Sequence, residues 1–202
     1  NEDKTIYPSV LTQSVDYKDT YYVGKWSEGD GDTLLSYDSA LVRRDGYEFT
    51  GWNTQPDGRG TTWYYGSRNT NNYATGSVIT LYAQWRPVTY YISYNNTTST
   101  RATATLKSTY KVNDSADGRY VLPELTRNNY KFLGWYESKE DAKNAVDLAT
   151  GMTTLDELGL TKETKPAAVT EISPANYQEM LTPNGSRQYI YLYAAMQPYT
   201  YT

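Results

Sequence analysis

The chain has 202 residues, and neither cysteine nor histidine is among them. Without cysteine there are no disulfide bonds and no thiolate metal sites. Without histidine, the most common general base and the most common metal ligand are missing. Phenylalanine is scarce, with 2 residues against 23 tyrosines and 5 tryptophans. Because a tyrosine ring packs while its hydroxyl keeps a polar partner, this bias is typical of β structure that faces water.

Positive charge is not clustered, and the formal net charge is −4. Basic pairs such as Arg43-Arg44 are isolated. Binding to a phosphate backbone needs a clustered basic face, so we expect no nucleic-acid partner. No apolar run has the length of a membrane span, so we expect no membrane insertion in this segment. We also expect no cofactor.

One short phrase is written twice. Gly46-Tyr47-Glu48-Phe49-Thr50-Gly51-Trp52 returns as Asn129-Tyr130-Lys131-Phe132-Leu133-Gly134-Trp135. Each copy is followed by a strand-like run, residues 79–85 and residues 190–196. Self-similarity on this scale predicts two tandem copies of one small domain. We place the first domain at residues 1–86 and the second at residues 87–202.

The alternation of side chains predicts which faces are buried. In each phrase a glycine separates the aromatic residues from the tryptophan, which has the opposite parity, so we expect a β-bulge that returns the tryptophan to the core. In each closing run every second residue is apolar, and we expect these residues to point inward: Ile79, Leu81, Ala83 and Trp85 in the first copy, and Ile190, Leu192, Ala194 and Met196 in the second.

The second copy is longer than the first between phrase and closing run, by an insertion at about residues 137–187. We expect three short helices in it: Ser138 to Val146, Thr154 to Leu158, and Ser173 to Leu181. Strands are expected at Val88–Tyr94 and Ala104–Val112, with an irregular segment around Pro123.

The first copy is less regular before its phrase. Strands are expected at Ile6–Val15 and Tyr21–Trp26, and the segment Leu34–Leu41 leads into the phrase. The segment Glu28-Gly29-Asp30-Gly31-Asp32 alternates acids as a calcium loop does, but it lacks the later acidic ligand of that motif, so we favour a solvated turn.

The phrase with its continuation resembles a known family. Residues 46–54, Asp57-Gly58, Gly60-Thr61 and residues 79–85 are similar to the internalin B-type B-repeat, also called the Listeria–Bacteroides repeat. The resemblance covers about Leu34 to Trp85 best. It extends to residues 88–196 with changes at two motif positions.

The resemblance implies an α+β, mostly β fold of two tandem small β-grasp (ubiquitin-like) domains, with short helices in the second. It implies a non-catalytic extracellular module of a bacterial cell-surface protein, acting in adhesion or as a spacer. Its partners would be adjacent repeats of the same chain and a host or environmental glycoprotein or polysaccharide. It transfers no catalytic residues.

Tyr82 and Tyr193 occupy equivalent positions that face away from the predicted core. With Tyr91 on a neighbouring strand they could form a surface aromatic strip that binds a ligand; the alternative is that a helix or the partner domain covers them. The tryptophans of the two phrases could stack on sugars, but we favour a core position. A carbohydrate-binding module of a larger secreted enzyme therefore stays as the alternative function, and a hydrolase with two carboxylates is a third.

Overall fold

The computed structural model describes residues 20–22, 25–28, 31–34, 44–64, 68–70, 74, 76–77 and 79–200. The chain divides into two compact units, Asn1–Val88 and Thr89–Thr202. The described residues form strands and a single α-helix of 12 residues. This composition confirms the prediction of a mostly β, α+β protein.

The first unit centres on a three-stranded antiparallel sheet. Its strands, in chain order, are β1 (Thr20–Tyr22), β2 (Lys25–Glu28), β3 (Gly31–Leu34), β4 (Tyr47–Asn53), β5 (Thr62–Trp63), β6 (Arg68–Thr70) and β7 (Tyr82–Pro87). Strand β4 lies between β5 and β7, while β1 pairs with β6 and β2 pairs with β3. Glu28 pairs with Gly31, and the turn expected at the acidic segment rests on Gly29 and Asp30, which lie outside the described residues.

Some expectations for the first unit fall outside the described residues, namely the strand at Ile6–Val15 and all of Leu34–Leu41 after its first residue. The strand expected at Tyr21–Trp26 is divided between β1 and β2. The closing strand begins at Tyr82 rather than Ile79, and Ile79 is exposed. The inward position predicted for Ile79 is therefore wrong.

The second unit contains the larger sheet. Its elements are β8 (Tyr90–Asn95), β9 (Arg101–Ala102), β10 (Thr109–Tyr110), β11 (Tyr120–Val121), β12 (Leu125–Thr126), β13 (Tyr130–Tyr136), α1 (Lys139–Thr150), β14 (Glu171–Ile172), β15 (Leu181–Asn184) and β16 (Arg187–Pro198). The sheet order is β10-β8-β16-β13, and β15 pairs with the first part of β16. Strands β8 and β16 are parallel, and the other pairs are antiparallel.

The repeated phrase and its closing strand pair in the same register in both units. In β4 and β7, Phe49 pairs with Trp85 and Trp52 with Ala83, across a shift at Gly51. In β13 and β16 the corresponding pairs are Phe132 with Met196 and Trp135 with Ala194, across a shift at Gly134. The predicted bulge is therefore confirmed in both copies.

The bulge brings the phenylalanine and the tryptophan of each phrase together. Their ring centroids lie 5.2 Å apart for Phe49 and Trp52, and 5.6 Å apart for Phe132 and Trp135, both edge to face. Edge-to-face aromatic pairs add about 0.5–1.5 kcal/mol beyond the area they bury.

The turn that leads into each phrase is also duplicated. The guanidinium of Arg44 lies 3.8 Å from the ring centroid of Tyr47, and that of Arg127 lies 4.0 Å from Tyr130. The first residue of the phrase has a positive φ in both copies, +77° at Gly46 and +63° for the asparagine at position 129. Asparagine is one of the few residues that adopt this conformation readily, which explains why it can replace glycine there.

One face of the second sheet carries the main core. Ile190 and Leu192 are fully buried and Ala194 is 3% exposed, as predicted, while Met196 is half-buried. Burying each large side chain contributes about 1.5–3 kcal/mol. Other fully or nearly fully buried side chains are Tyr110, Trp135, Ile172 and Tyr177.

Helix α1 covers part of the opposite face. Ser138 caps its N-terminus by accepting a hydrogen bond from the Asp141 N–H at 3.0 Å, as the sequence predicts. The helix runs past Val146 to Thr150, and Gly151 closes it with φ of +71°. Beneath it lies a cluster made of Tyr136, Ala142 and Ala195, with Leu133, Ala145, Val146 and Tyr193 packed around it.

The prediction of the other two helices, at Thr154 to Leu158 and at Ser173 to Leu181, is wrong because neither segment forms an α-helix. Thr154 and Glu157 form a reciprocal capping box, but the chain makes only a turn before it leaves helical geometry. Ser173 likewise opens a run of turns that reaches Met180. Short helices need packing to be stable, and propensity alone did not decide these segments.

Three further expectations for the second unit have different outcomes. The strand predicted at Ala104–Val112 is reduced to β10, because most of the segment is irregular. The segment around Pro123 is irregular, as expected, and it joins two short strands. Val88–Tyr94 appears as β8, which begins at Tyr90.

The extra residues of the second unit enter mainly at one point. Trp52 pairs with Trp63, whereas Trp135 forms its equivalent bridge with Val169, much further along the chain. Most of the additional length therefore lies between the phrase and this bridge, and it contains α1.

Replacement of the bulge glycine tests how tightly this geometry is constrained. Gly134 has φ of +134°, and a Cβ there would lie 2.5 Å from the Ala168 Cβ. We expect Gly134→Ala to lower the free energy of unfolding of the second unit by about 3 kcal/mol, measured by urea unfolding. Gly151→Ala is the control, since its positive φ meets open space and should cost about 1 kcal/mol. Equal losses in the two variants would contradict a close-packed bulge.

A buried phenol should make stability depend on alkaline pH. Tyr110 is fully buried and its hydroxyl donates to the Gly118 carbonyl at 2.9 Å. Burial raises the pKa of Tyr110 to about 12, so the unfolded chain loses this proton first. Its stabilisation is complete below about pH 10 and declines as pH rises toward about 12.

We therefore expect Tyr110→Phe to flatten the loss of unfolding free energy between pH 10 and 12, and to cost about 1 kcal/mol at pH 7. Urea unfolding at a series of pH values measures both effects. Tyr199→Phe, at an exposed position, should leave the profile unchanged. An unaltered alkaline slope in Tyr110→Phe would show that other groups cause the decline.

Candidate functional site

The tryptophans of the repeated phrase occupy core positions rather than a sugar-stacking surface. Trp135 is 1% exposed and its Nε1–H donates to the Pro123 carbonyl at 2.8 Å. Trp52 is half-buried, and among the described residues no acceptor lies within hydrogen-bonding distance of its buried Nε1. Both therefore fit the core interpretation, and Trp135 fits it fully.

A tight loop follows the phrase in the first unit, and Asn53 organises it. The side chain is buried, and its amide donates to the carbonyls of Gly58 and Gly60 and to the Thr62 hydroxyl at 3.0–3.2 Å. Its Oδ1 accepts from the N–H groups of Gln55 and Gly60, both at 2.9 Å. One asparagine thus satisfies five polar groups, which explains the motif residues of this segment as structural.

The predicted binding residues lie on two different units. Tyr82 is in β7 of the first unit and is 40% exposed. Tyr91 is in β8 and Tyr193 is in β16 of the second unit, and both are half-buried. Tyr193 packs against the cluster beneath α1, so a helix partly covers it, as the alternative reading held.

Two tyrosines that the sequence analysis did not select, Tyr189 and Tyr191, lie in β16, the first at the position paired with Tyr91 and the second between it and Tyr193. Tyr91 pairs with Tyr189 across the parallel strands, with ring centroids 5.5 Å apart. Tyr189 stacks on Tyr191 at 5.7 Å with an interplanar angle of 21°. We call the four residues Tyr91, Tyr189, Tyr191 and Tyr193 the tyrosine strip. The alternation in residues 189–193 is visible in the sequence and could have revealed it.

Polar side chains border the tyrosine strip. The Arg187 guanidinium lies 4.8 Å from the ring centroid of Tyr91, and a hydrogen bond to Tyr189 holds the Arg187 pKa above its usual range. Asn184 donates to the Tyr191 hydroxyl at 3.4 Å. Because stacked rings use their faces against one another, the strip offers ring edges and hydroxyls more than flat platforms.

A groove of about 400 Å³ lies at the Tyr193 end of the strip. Tyr191, Tyr193 and the buried Met180 give it apolar walls, and Glu137 and Glu179 bring carboxylates. We call it the acidic groove; its remaining lining residues are Ser138, Lys139 and Thr182. A second groove, of about 420 Å³, lies along α1 and mixes Arg127, Lys143 and Asp147, of which the last two form an ion pair.

The charges of the acidic groove repel one another. Burial, then the nearby charges of Glu179 and Asp141, raise the pKa of Glu137. Neither Glu137 nor Glu179 forms a side-chain hydrogen bond or ion pair within the part of the chain that the structure describes. The Asp141 carboxylate, in contrast, accepts a hydrogen bond from Ser138 at 2.7 Å.

The described ranges contain no group of three or more acidic side chains arranged to hold a metal ion. No helix described there has the length and apolar character needed to cross a bilayer.

The architecture is that of a tandem repeat, with one strand pair written twice in the same register. The chain belongs to the Listeria-Bacteroides repeat domain family, whose model matches residues 12–84 and 90–160. This confirms the predicted family and the two copies. The second match ends within the insertion, and β16, which completes the duplicated register, lies beyond it.

Comparison with individual proteins adds one relative. A protein of Evansella cellulosilytica described as a Gly-rich membrane protein is 31% identical over 113 residues, which are 54% of this chain. The match spans 13% of that relative's length. No solved structure matches the chain significantly. The family is one of non-catalytic repeats and is typical of extracellular bacterial surface proteins.

Removal of the Asn53 side chain tests the structural reading of the loop. We expect Asn53→Ala to lower the unfolding free energy of the first unit by about 3 kcal/mol, since several buried polar groups lose their partner together. Gln55→Ala, in the same loop with an exposed side chain, is the control and should change it by less than about 0.5 kcal/mol. Both are measured by chemical denaturation. A loss as small as the control's would mean that water replaces Asn53 freely.

Proposed function

We propose that this chain is an extracellular module of a bacterial cell-surface protein and that it acts in adhesion and as a spacer between other parts of that protein. The observation that carries the proposal is the family match over both copies. The relative described as a membrane protein is consistent with it, since the segment shared with that relative is a small part of a much longer chain.

The proposed domain type is the β-grasp. In the second unit the parallel pair β8 and β16 lies inside the sheet, and α1 packs on one face of β13 and β16. A small mixed sheet with a helix across one face has this arrangement. The first unit shares the β4–β7 register, and by that likeness we assign it the same domain type.

Both copies reuse the same stiffening devices, which supports a spacer role. Each has the glycine bulge and the edge-to-face aromatic pair. Each also has the Arg–Tyr contact before the phrase. The duplicated residues all have structural roles. Such a module can transmit load and keep other domains apart without a reaction centre.

The tyrosine strip supports the adhesive part of the proposal. Tyrosine supplies contact area at low cost in side-chain entropy, and its hydroxyl makes polar contacts at the rim. A glycoprotein or polysaccharide would then meet ring edges, hydroxyls and Arg187. A carbohydrate-binding module that relies on flat rings is less well supported, because Tyr189 and Tyr191 stack on each other and Trp135 is buried.

The test presents the intact chain to immobilised mucins, extracellular-matrix proteins and polysaccharides, with affinity measured by surface plasmon resonance. We expect binding to at least one of them, and we expect the double variant Tyr189→Ser, Tyr191→Ser to weaken it by at least about tenfold, as for a central contact residue. The matched control is Tyr199→Ser, at an exposed tyrosine outside the strip.

The outcomes separate the two roles. Binding that survives loss of the strip would place adhesion on another surface of the chain. Failure of every surface to bind the native chain would remove the adhesive role and leave the spacer. Binding to polysaccharides alone, accompanied by a change in tryptophan fluorescence, would favour the carbohydrate-binding alternative.

A further inference from the structure

We propose that the acidic groove of the second unit receives a Lys or Arg side chain of a protein partner. The inference deepens the adhesive role and rests on it, because it names the chemistry that the partner must present. It is carried by the shape of the groove, by its apolar walls and by two carboxylates that form no ion pair within the described residues.

The groove has the dimensions and walls that a long cationic side chain requires. Its volume is about 400 Å³, and Tyr191, Tyr193 and Met180 line it. Lysine and arginine bury their methylene stems along such apolar surface while the charged end stays with polar groups. Tyr191 uses one face against Tyr189, and within the described residues no ring contact joins Tyr191 to Tyr193. Ring surface is therefore left on the side of the groove, where a cation is attracted to it.

The charge of the groove selects a cation. Glu137 and Glu179 both line it, and the charge of Glu179 adds to burial in raising the pKa of Glu137. Asp141 lies near them, with its carboxylate engaged by Ser138. The one cationic side chain in the described lining is Lys139, which forms no ion pair with either glutamate. A positive group would relieve this repulsion and form charge-assisted hydrogen bonds with both carboxylates.

A protein side chain fits these features better than a metal ion or a sugar. The described residues lack a metal-binding group of three acids. The stacked rings of the strip give a sugar little flat surface. An ammonium or guanidinium group, in contrast, uses the carboxylates, the tyrosine walls and the depth of the groove together.

The experiment uses the full chain labelled with ¹⁵N and titrates it with Nα-acetyl-lysine amide. The matched probe is Nα-acetyl-norleucine amide, which carries a similar aliphatic chain without the ammonium. We expect amide shifts confined to Glu137, Glu179, Met180, Tyr191 and their chain neighbours with the lysine probe, and no saturable shift with the norleucine probe. The double variant Glu137→Gln, Glu179→Gln should weaken binding by about fivefold or more, since each exposed charge pair contributes modestly.

The control variant is Glu124→Gln, which removes one exposed carboxylate of the same unit outside the groove and should leave the affinity unchanged. Equal binding of the norleucine probe, or equal weakening by Glu124→Gln, would overturn the inference, as would shifts outside the groove. Shifts in the groove with a glucosamine tetramer and none with the lysine probe would also overturn it, since the partner would then be a glycan.

The adhesion panel is run with the same glutamine variants, which keeps the two proposals apart. If the native chain binds a matrix protein and the double glutamine variant binds it equally, this inference fails and the adhesive role stands. If no surface is bound but the lysine probe occupies the groove, the adhesive role fails while the groove chemistry is retained.

Discussion

The bulge between the phenylalanine and the tryptophan of the repeated phrase is the constraint on which both units depend. A strand alternates its side chains, so without an extra residue the tryptophan would face away from the phenylalanine. The glycine at the bulge, with φ near +135° in both copies, absorbs that residue and turns the ring back. The closing strand then pairs in one register, because Ala83 or Ala194 leaves room beside the ring.

In the second unit, a second layer packs on this shared strand pair. The described part of the first unit has no such layer. The insertion of the second unit leaves the sheet directly after the phrase and returns at Val169, and in between it forms α1. The helix covers Tyr136 and Ala195, so the sheet is buried on both faces near β13. Towards the start of β16, Tyr189 and Tyr191 are half-buried and are not part of the cluster beneath the helix. Tyr193, which packs against that cluster, is therefore the member of the tyrosine strip nearest the helix.

The sequence predicted the duplicated strand pair well, and it predicted poorly the segments that occur in one unit alone. Register, bulge and inward residues could be read because Leu192 and Ala194 repeat the pattern of the first copy. The helices after Thr154 and Ser173 could not, since capping signals describe how a helix begins and not whether packing sustains it. Of the candidate site, Tyr91 and Tyr193 were selected by parity, but the parallel pairing of β8 with β16 that joins them through Tyr189 involves residues about a hundred positions apart. Local patterns carry no information about such pairing.

The difference between duplicated and unduplicated positions indicates where a binding function can reside. A position kept in both copies with the same contacts, such as Trp135 or the arginine before each phrase, is accounted for by the fold and needs no ligand to explain it. The acidic groove is different, because Glu137 and Lys139 lie at the start of the insertion, and neither they nor Glu179 have a counterpart in the duplicated register. Both glutamates are exposed, and neither forms an ion pair within the described chain. Carboxylates that the duplicated fold does not use are the natural contact for a partner of opposite charge, as we propose.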